Sequence, residues 1–164
     1  MDEELSSYIV DHSELAGYDV EAHIEEHSIE VQLPFLQYIW KDVSFLPIVM
    51  MGQDEEYASD LASAVPEGVL FIASSDFSHY VPADIGREKD MKLIEAILDM
   101  DARRFLRLVR ELKASPCGYG PIASLILWAR EQGASAELLH FSNSGDTSGD
   151  YENVVDYAAI AFYT

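Results

Sequence analysis

Four largely apolar runs constrain this chain more than any other feature. They occupy residues 43–49, 68–73, 136–141 and 154–162; the first leads into Met50-Met51-Gly52 and the second reads Gly-Val-Leu-Phe-Ile-Ala. A strand with one wet face alternates apolar and polar side chains, whereas a strand covered on both faces need not. Runs of this kind therefore predict a sheet sandwiched by helices. Helical spacing fills the intervals. Ile29, Leu33, Leu36 and Trp40 recur at helical steps, with Pro34 either kinking that helix or opening its second half. Residues 55–64 and 101–112 read as helices, and 84–98 as an amphipathic one with Met91, Ile94, Ile97 and Leu98 on one side. A further helix over 121–131 has Pro121 in its first turn. Strands alternating with helices predict an α/β layered domain. No repeat or Pro/Gly/Ser linker divides the chain, so residues 1–164 read as a single domain.

Charge excludes some functions. Thirty acidic side chains face ten basic ones, a formal net charge of −20. Such a chain repels nucleic-acid phosphates, which are normally bound by a clustered basic face. Arg103, Arg104, Arg107 and Arg110 do cluster, at a spacing that predicts an ion-paired, solvated helix face. The acidic excess is also compatible with a salt-rich cytoplasm. No stretch approaches the roughly 20 apolar residues of a membrane span. The start, Met1-Asp2-Glu3-Glu4, is acidic where a secretory signal is basic, and Cys117 stands alone. One cysteine forbids an internal disulfide, and a reducing cytoplasm is the expected location.

Candidate chemistry begins at Ser74-Ser75-Asp76-Phe77-Ser78-His79-Tyr80, directly after an apolar run. Sites in α/β sheets gather beyond the carboxyl ends of strands. Asp76 lies three residues before His79, so in a helical turn its carboxylate would orient an imidazole able to exchange protons near neutral pH. The plainer alternative is a capping aspartate and a surface histidine. His23-Ile24-Glu25-Glu26-His27 spells H-x-x-E-H, which on a helix would offer two metal ligands with Glu26 as general base. A charged helix start, with Glu26 and Glu30 near the positive end of the dipole, accounts for the same residues. Ser115-Pro116-Cys117-Gly118-Tyr119-Gly120-Pro121 places a thiol just before a helix, either a nucleophile or soft-metal ligand or a small apolar side chain in a tight turn. The aspartates of residues 143–150 lack EF-hand spacing, so this polar segment reads as a turn.

In order along the chain, residues 26–35 (EHSIEVQLPF), 74–80 (SSDFSHY), 117–122 (CGYGPI), 143–146 (NSGD) and 156–162 (DYAAIAF) resemble the Memo-like family. That family is in turn similar to the catalytic subunits of class III extradiol dioxygenases. The resemblance implies a three-layer α/β/α fold with a central mixed sheet, and a non-heme metal, iron or copper, in the complete protein. It implies that Cys117 is a metal ligand, that His79 is the acid/base, and that Asp76 and His27 line the same pocket. The family's two histidine ligands come from His-Ala-Gly-Tyr-like and Gly-Pro-Ser-His-His-like motifs, and neither occurs here; His12 and His23 stand in other contexts. The expectation is thus a homologue lacking the family's N-terminal strands. It would bind metal weakly by itself, and its exposed sheet edge would be covered by oligomerisation or by the missing N-terminal segment. Such a protein would act on a small molecule by redox or dioxygenase-type chemistry. The alternative is a non-catalytic module holding a peptide or protein partner in the retained pocket.

Overall fold

The computed structural model describes residues 1–164. Seven α-helices and three strands follow one another as α1 (Glu3–His12), α2 (Leu33–Ile39), α3 (Glu55–Ala64), β1 (His79–Val81), α4 (Ala83–Leu98), α5 (Ala102–Glu111), α6 (Tyr119–Glu131), β2 (Ser135–Asn143), α7 (Gly145–Ser148) and β3 (Val154–Tyr163). Local chemistry sets the helix starts. Asp54 accepts from the Glu56 and Tyr57 amides ahead of α3, and Asp101 accepts from the Arg104 amide ahead of α5. Each satisfies donors that the first helical turn leaves free. Pro34 falls in the first turn of α2, where its missing N–H costs nothing, so it opens the helix and does not kink it.

The α/β class is as expected. The sheet runs β1-β3-β2 and every pairing is antiparallel. β2 and β3 align from Ser135 opposite Tyr163 to Asn143 opposite Asp156, with an irregularity between Leu138 and His140. This sheet is smaller than the central mixed sheet expected, because residues 43–49 and 68–73 join no ladder. Apolar character made both runs fit to be strands; a strand also needs a ladder of backbone bonds to a neighbour, and residues 43–49 make one such bond, the Phe45 carbonyl accepting from the Asp2 amide, and residues 68–73 none.

The main core lies where α4, α5 and α6 meet the sheet. Leu93, Ile94 and Ile97 of α4 pack with Phe105 of α5 and Ile126 of α6, all essentially solvent-free. The Arg87 guanidinium sits 4.9 Å from the centre of the Phe141 ring, a cation–π contact binding α4 to β2. A smaller cluster joins Ile9 of α1 to Leu61 and Ala64 of α3. The arginines of α5 behave as the charge pattern predicts: Arg103 pairs with Glu55, Arg104 with Asp99 and Glu95, and Arg107 with Glu111. No helix is long and apolar enough to cross a membrane.

Candidate metal centre

Two loops meet at the site. Residues 74–78 lead into β1, and residues 115–118 lead into α6. The first is pinned to β3 on both sides of one residue: the Phe77 amide donates to the Asp156 carbonyl, and the Asp156 amide to the Ser78 carbonyl, each at 2.9 Å. Ser78 is fixed again from below, its amide and hydroxyl both donating to the buried Asp90 carboxylate of α4 at 2.9 Å. The second loop is sewn to the first. The Cys117 amide donates to the Asp76 carbonyl at 3.3 Å, and the Gly118 amide to Ser75 Oγ at 2.8 Å. Gln53 braces the outer side, donating to the Cys117 carbonyl and accepting from the Gly120 amide. At Gly118 a Cβ would come within 2.9 Å of the Ser74 carbonyl oxygen, so only glycine lets the two loops approach this closely.

These loops bring Asp76, His79 and Cys117 together. One carboxylate oxygen, one ring nitrogen and the thiol sulfur all lie within 4.8 Å of one another. His79 Nδ1 donates to the Ser115 carbonyl at 2.8 Å, which fixes the tautomer and leaves Nε2 as the inward-facing atom. Nε2 stands 3.5 Å from Asp76 Oδ2. The Asp76 amide donates to Cys117 Sγ at 3.3 Å. The histidine side chain is about one-quarter exposed and the aspartate about half, so the cluster is open to small molecules yet seated in the fold.

Three electron-rich atoms converging in this way make a pocket for a cation. The donor set of imidazole, thiolate and carboxylate suits iron, copper or zinc better than magnesium or calcium, which favour oxygen. A histidine whose second nitrogen is tied to a backbone carbonyl is the usual arrangement at metal centres, because it orients the ring and raises its basicity as a ligand. The residues present therefore fit a transition-metal ion.

Of the residues singled out in the sequence, His27 is not in this cluster. It lies exposed before α2, with Nδ1 2.7 Å from Glu30, although its neighbour Ser28 accepts a hydrogen bond from Ser74 at the entrance to the site loop. His23 belongs to a separate 3₁₀ turn, Glu21–His23, and Glu26 accepts from the amide and hydroxyl of Ser28. No helix carries both His23 and His27, so the H-x-x-E-H spelling has no metalloprotease geometry. His12 stacks on Tyr8, and its Nδ1 donates to the Tyr8 carbonyl.

Sequence reasoning passed over four supporting residues. Ser115 holds His79 twice, through its carbonyl and by accepting the His79 amide at its hydroxyl. Asp90 holds Ser78 through both its carboxylate oxygens. Tyr157 of β3, 40% exposed, has its phenol pushed above the usual range by partial burial first and then by the Asp76 and Asp156 charges. Asp156 is wholly buried and no other N–H or O–H reaches its carboxylate; burial first, and then a proton shared with the neighbouring Asp90 and that residue's charge, push its pKa up to about 7. An aspartate three residues before a histidine was a signal available from spacing; none of these four had one.

The sequence matches the family of Memo-like proteins over residues 1–161. It is 47% identical over 167 residues to a MEMO1 family protein of Methanosarcina barkeri, covering 96% of this chain and 61% of the relative. A MEMO1 family protein of Desulfurococcus amylolyticus is 43% identical over 171 residues, covering 99% of this chain and 60% of the relative. Another, from Thermoplasma volcanium, is 43% identical over 164 residues, covering 98% and 61%. The chain belongs to the Memo-like family, and it spans about three-fifths of the length of these relatives.

Proposed function

We propose that this member of the Memo-like family holds a redox-active transition metal, iron or copper, at the Asp76/His79/Cys117 cluster and serves oxidative chemistry on a small molecule in a reducing cytoplasm. The observation that carries this reading is the convergence of three donor atoms within 4.8 Å, with the His79 tautomer already set by Ser115. Cys117 supplies the thiolate ligand. His79 presents Nε2 as the imidazole donor, its ring held by the Nδ1–Ser115 hydrogen bond, and the Asp76 carboxylate completes the donor set. When bound, the metal would supply electron transfer and polarisation of a coordinated substrate. The resemblance to extradiol dioxygenases supports the oxidative class, and the half-open cluster is accessible to a small substrate.

Metal titration of the chain followed by elemental analysis tests the assignment. Stoichiometric Fe(II) or Cu(I) binding is expected, weakened at least about tenfold, or about 1.4 kcal/mol, by Cys117→Ala. Unchanged affinity in Cys117→Ala would remove the thiolate from the site. Repeating the titration with the remaining two-fifths of the relatives' length supplied separates a weak partial site from none: absence of binding in both forms would end the metal reading.

A further inference from the structure

Three residues other than glycine hold the left-handed backbone, and two of them have an ordinary reason to. Met100 and Lys113 follow the ends of α4 and α5. There the Asp101 amide returns to the Ala96 carbonyl and the Ala114 amide to the Val109 carbonyl, the usual closure of a helix. Tyr80, at φ 56°, ends no helix. It sits inside β1, between His79, which lies opposite Val155, and Val81, which lies opposite Val154. Two steps along β1 thus answer one along β3, a bulge with Tyr80 as the extra residue. Glycine fills such a position without strain; an aromatic side chain there strains the backbone. Successive side chains of a regular strand point to opposite faces. Here the Tyr80 ring centre is 6.0 Å from that of His79, with the planes 56° apart, so the tyrosine stands beside the ring that presents Nε2 to the cluster. Packing does not account for it: Tyr80 is 77% exposed and belongs to neither apolar cluster. A bulky ring is held in a strained conformation, in solvent, next to a half-open donor set, and strain of this kind gathers at ligand-binding positions.

We infer that Tyr80 is a substrate-contacting specificity residue, the platform on which a flat, uncharged aromatic small molecule stacks while one of its donor atoms reaches the metal cluster. This rests on the metal reading above and names the class of substrate that the site accepts. An aromatic face suits another π-face or a cation. A loaded metal centre repels a cation, which leaves the flat neutral ring. The separation of the Tyr80 and His79 rings is within the range of aromatic contacts, so a molecule of single-ring size on the tyrosine stands next to the imidazole. The plainer purpose of the bulge is to turn the His79 amide toward Ser115 Oγ, and glycine at position 80 would serve that equally well. Tyrosine adds only its ring.

The test compares imidazole with 4-phenylimidazole, which share a donor nitrogen and differ by one ring, so that their affinity ratio reads the platform and not the metal. Each is titrated by calorimetry into the 164-residue chain, with and without Co(II), an ion that takes nitrogen and sulfur donors. The preference for the phenyl compound is expected to fall about fivefold in Tyr80→Gly and to persist in Tyr80→Phe. The urea midpoint of Tyr80→Gly should not fall below the parent's, because the strain leaves with the ring. An unchanged ratio in Tyr80→Gly would overturn the inference, as would undetectable binding of 4-phenylimidazole in both forms of the chain. A midpoint lowered by both Tyr80→Gly and Tyr80→Phe would show that the side chain serves packing, and would overturn it equally. Failure of the metal reading shows separately, as Co(II) that does not bind, and the ratio in the metal-free chain then decides for or against Tyr80.

Discussion

Asp156 illustrates how one residue can be structurally central and chemically uncomfortable. Its backbone clamps the site loop through Phe77 and Ser78, while its side chain is solvent-free and has only a proton shared with Asp90. Burial raises both acids above the usual carboxylate range; the Ser78 amide and hydroxyl oppose the shift at Asp90, and Arg87 opposes it at Asp156. The sign of the pH dependence follows. The folded-state value for Asp156, about 7, lies above the ordinary 3.8, so between these the folded protein holds a proton that the unfolded chain has released. Stability from this group is complete below pH 4, falls as pH rises toward 7, and is flat beyond. Asparagine keeps the shape and cannot ionise. Urea midpoints for Asp156→Asn should therefore lose the decline between pH 5 and 7 that the parent shows, and at pH 8 the variant should match or exceed the parent. Equal slopes in both proteins would mean Asp156 is ionised throughout. The exposed acids Asp2 and Glu88 have lowered values, through hydrogen bonds to Leu5 and Lys92 respectively; they lose their contribution only as pH falls below the carboxylate range, outside this window.

At the scale of elements, α4 is held against β3 by a contact that tolerates no added atom. A Cβ at Gly86 would overlap Asp156 Oδ2 and press on Val81. The Asp156 backbone is fixed to the site loop and its side chain is fully buried, so relief would require the carboxylate to rotate against packed neighbours. Alanine in a helix interior gains about 1 kcal/mol over glycine, while overpacking a tight contact costs about 1–3. The clash is expected to win, so Gly86→Ala should lower the thermal midpoint; a rise would show that Asp156 yields. Elements like α4 were legible from sequence because their causes are local. The helices expected at 55–64, 84–98 and 101–112 fall within a residue of those observed, set by the Asp54 and Asp101 caps and by apolar periodicity. The runs at 136–141 and 154–162 became β2 and β3, each lengthened by pairing with the other. Residues 43–49 and 68–73 are at least as apolar as these, and lack a partner strand, which no local pattern can report. The site divides in the same way. Asp76 and His79 were visible as a pair, whereas the approach of Cys117 depends on Gly118 and Ser75 across more than forty residues, and Asp90 meets Ser78 only after α4 docks. α1 escaped notice although Asp2 caps it, because only Ile9 along its length is buried.

For the whole molecule, the −20 charge sets up a contest whose outcome salt can reveal. Acidic side chains far outnumber the basic ones that could pair with them, so the compact chain holds like charges closer together than the unfolded one does. Against this repulsion stand a few ion pairs, such as Lys92 with Glu88 and Arg107 with Glu111, whose side chains are largely exposed. Exposed pairs contribute little, and the best placed on helices give only about 0.3–0.5 kcal/mol. Salt weakens attraction and repulsion alike, and whichever is stronger decides the sign. Raising KCl from about 0.01 to about 1 M shortens the screening length from about 30 to about 3 Å, which removes repulsion between distant carboxylates and leaves near pairs partly intact. The urea midpoint should therefore rise across this range at pH 7.5, steeply at first and then levelling. Neutralising acids on the open surface should reproduce part of that rise at low salt: Glu25→Gln and Glu152→Gln, neither engaged in an ion pair, should shift the low-salt midpoint upward and make its salt dependence shallower. A midpoint that falls with KCl would mean that the arginine pairs of α5 outweigh the repulsion, and the acidic excess would then bear on solubility alone.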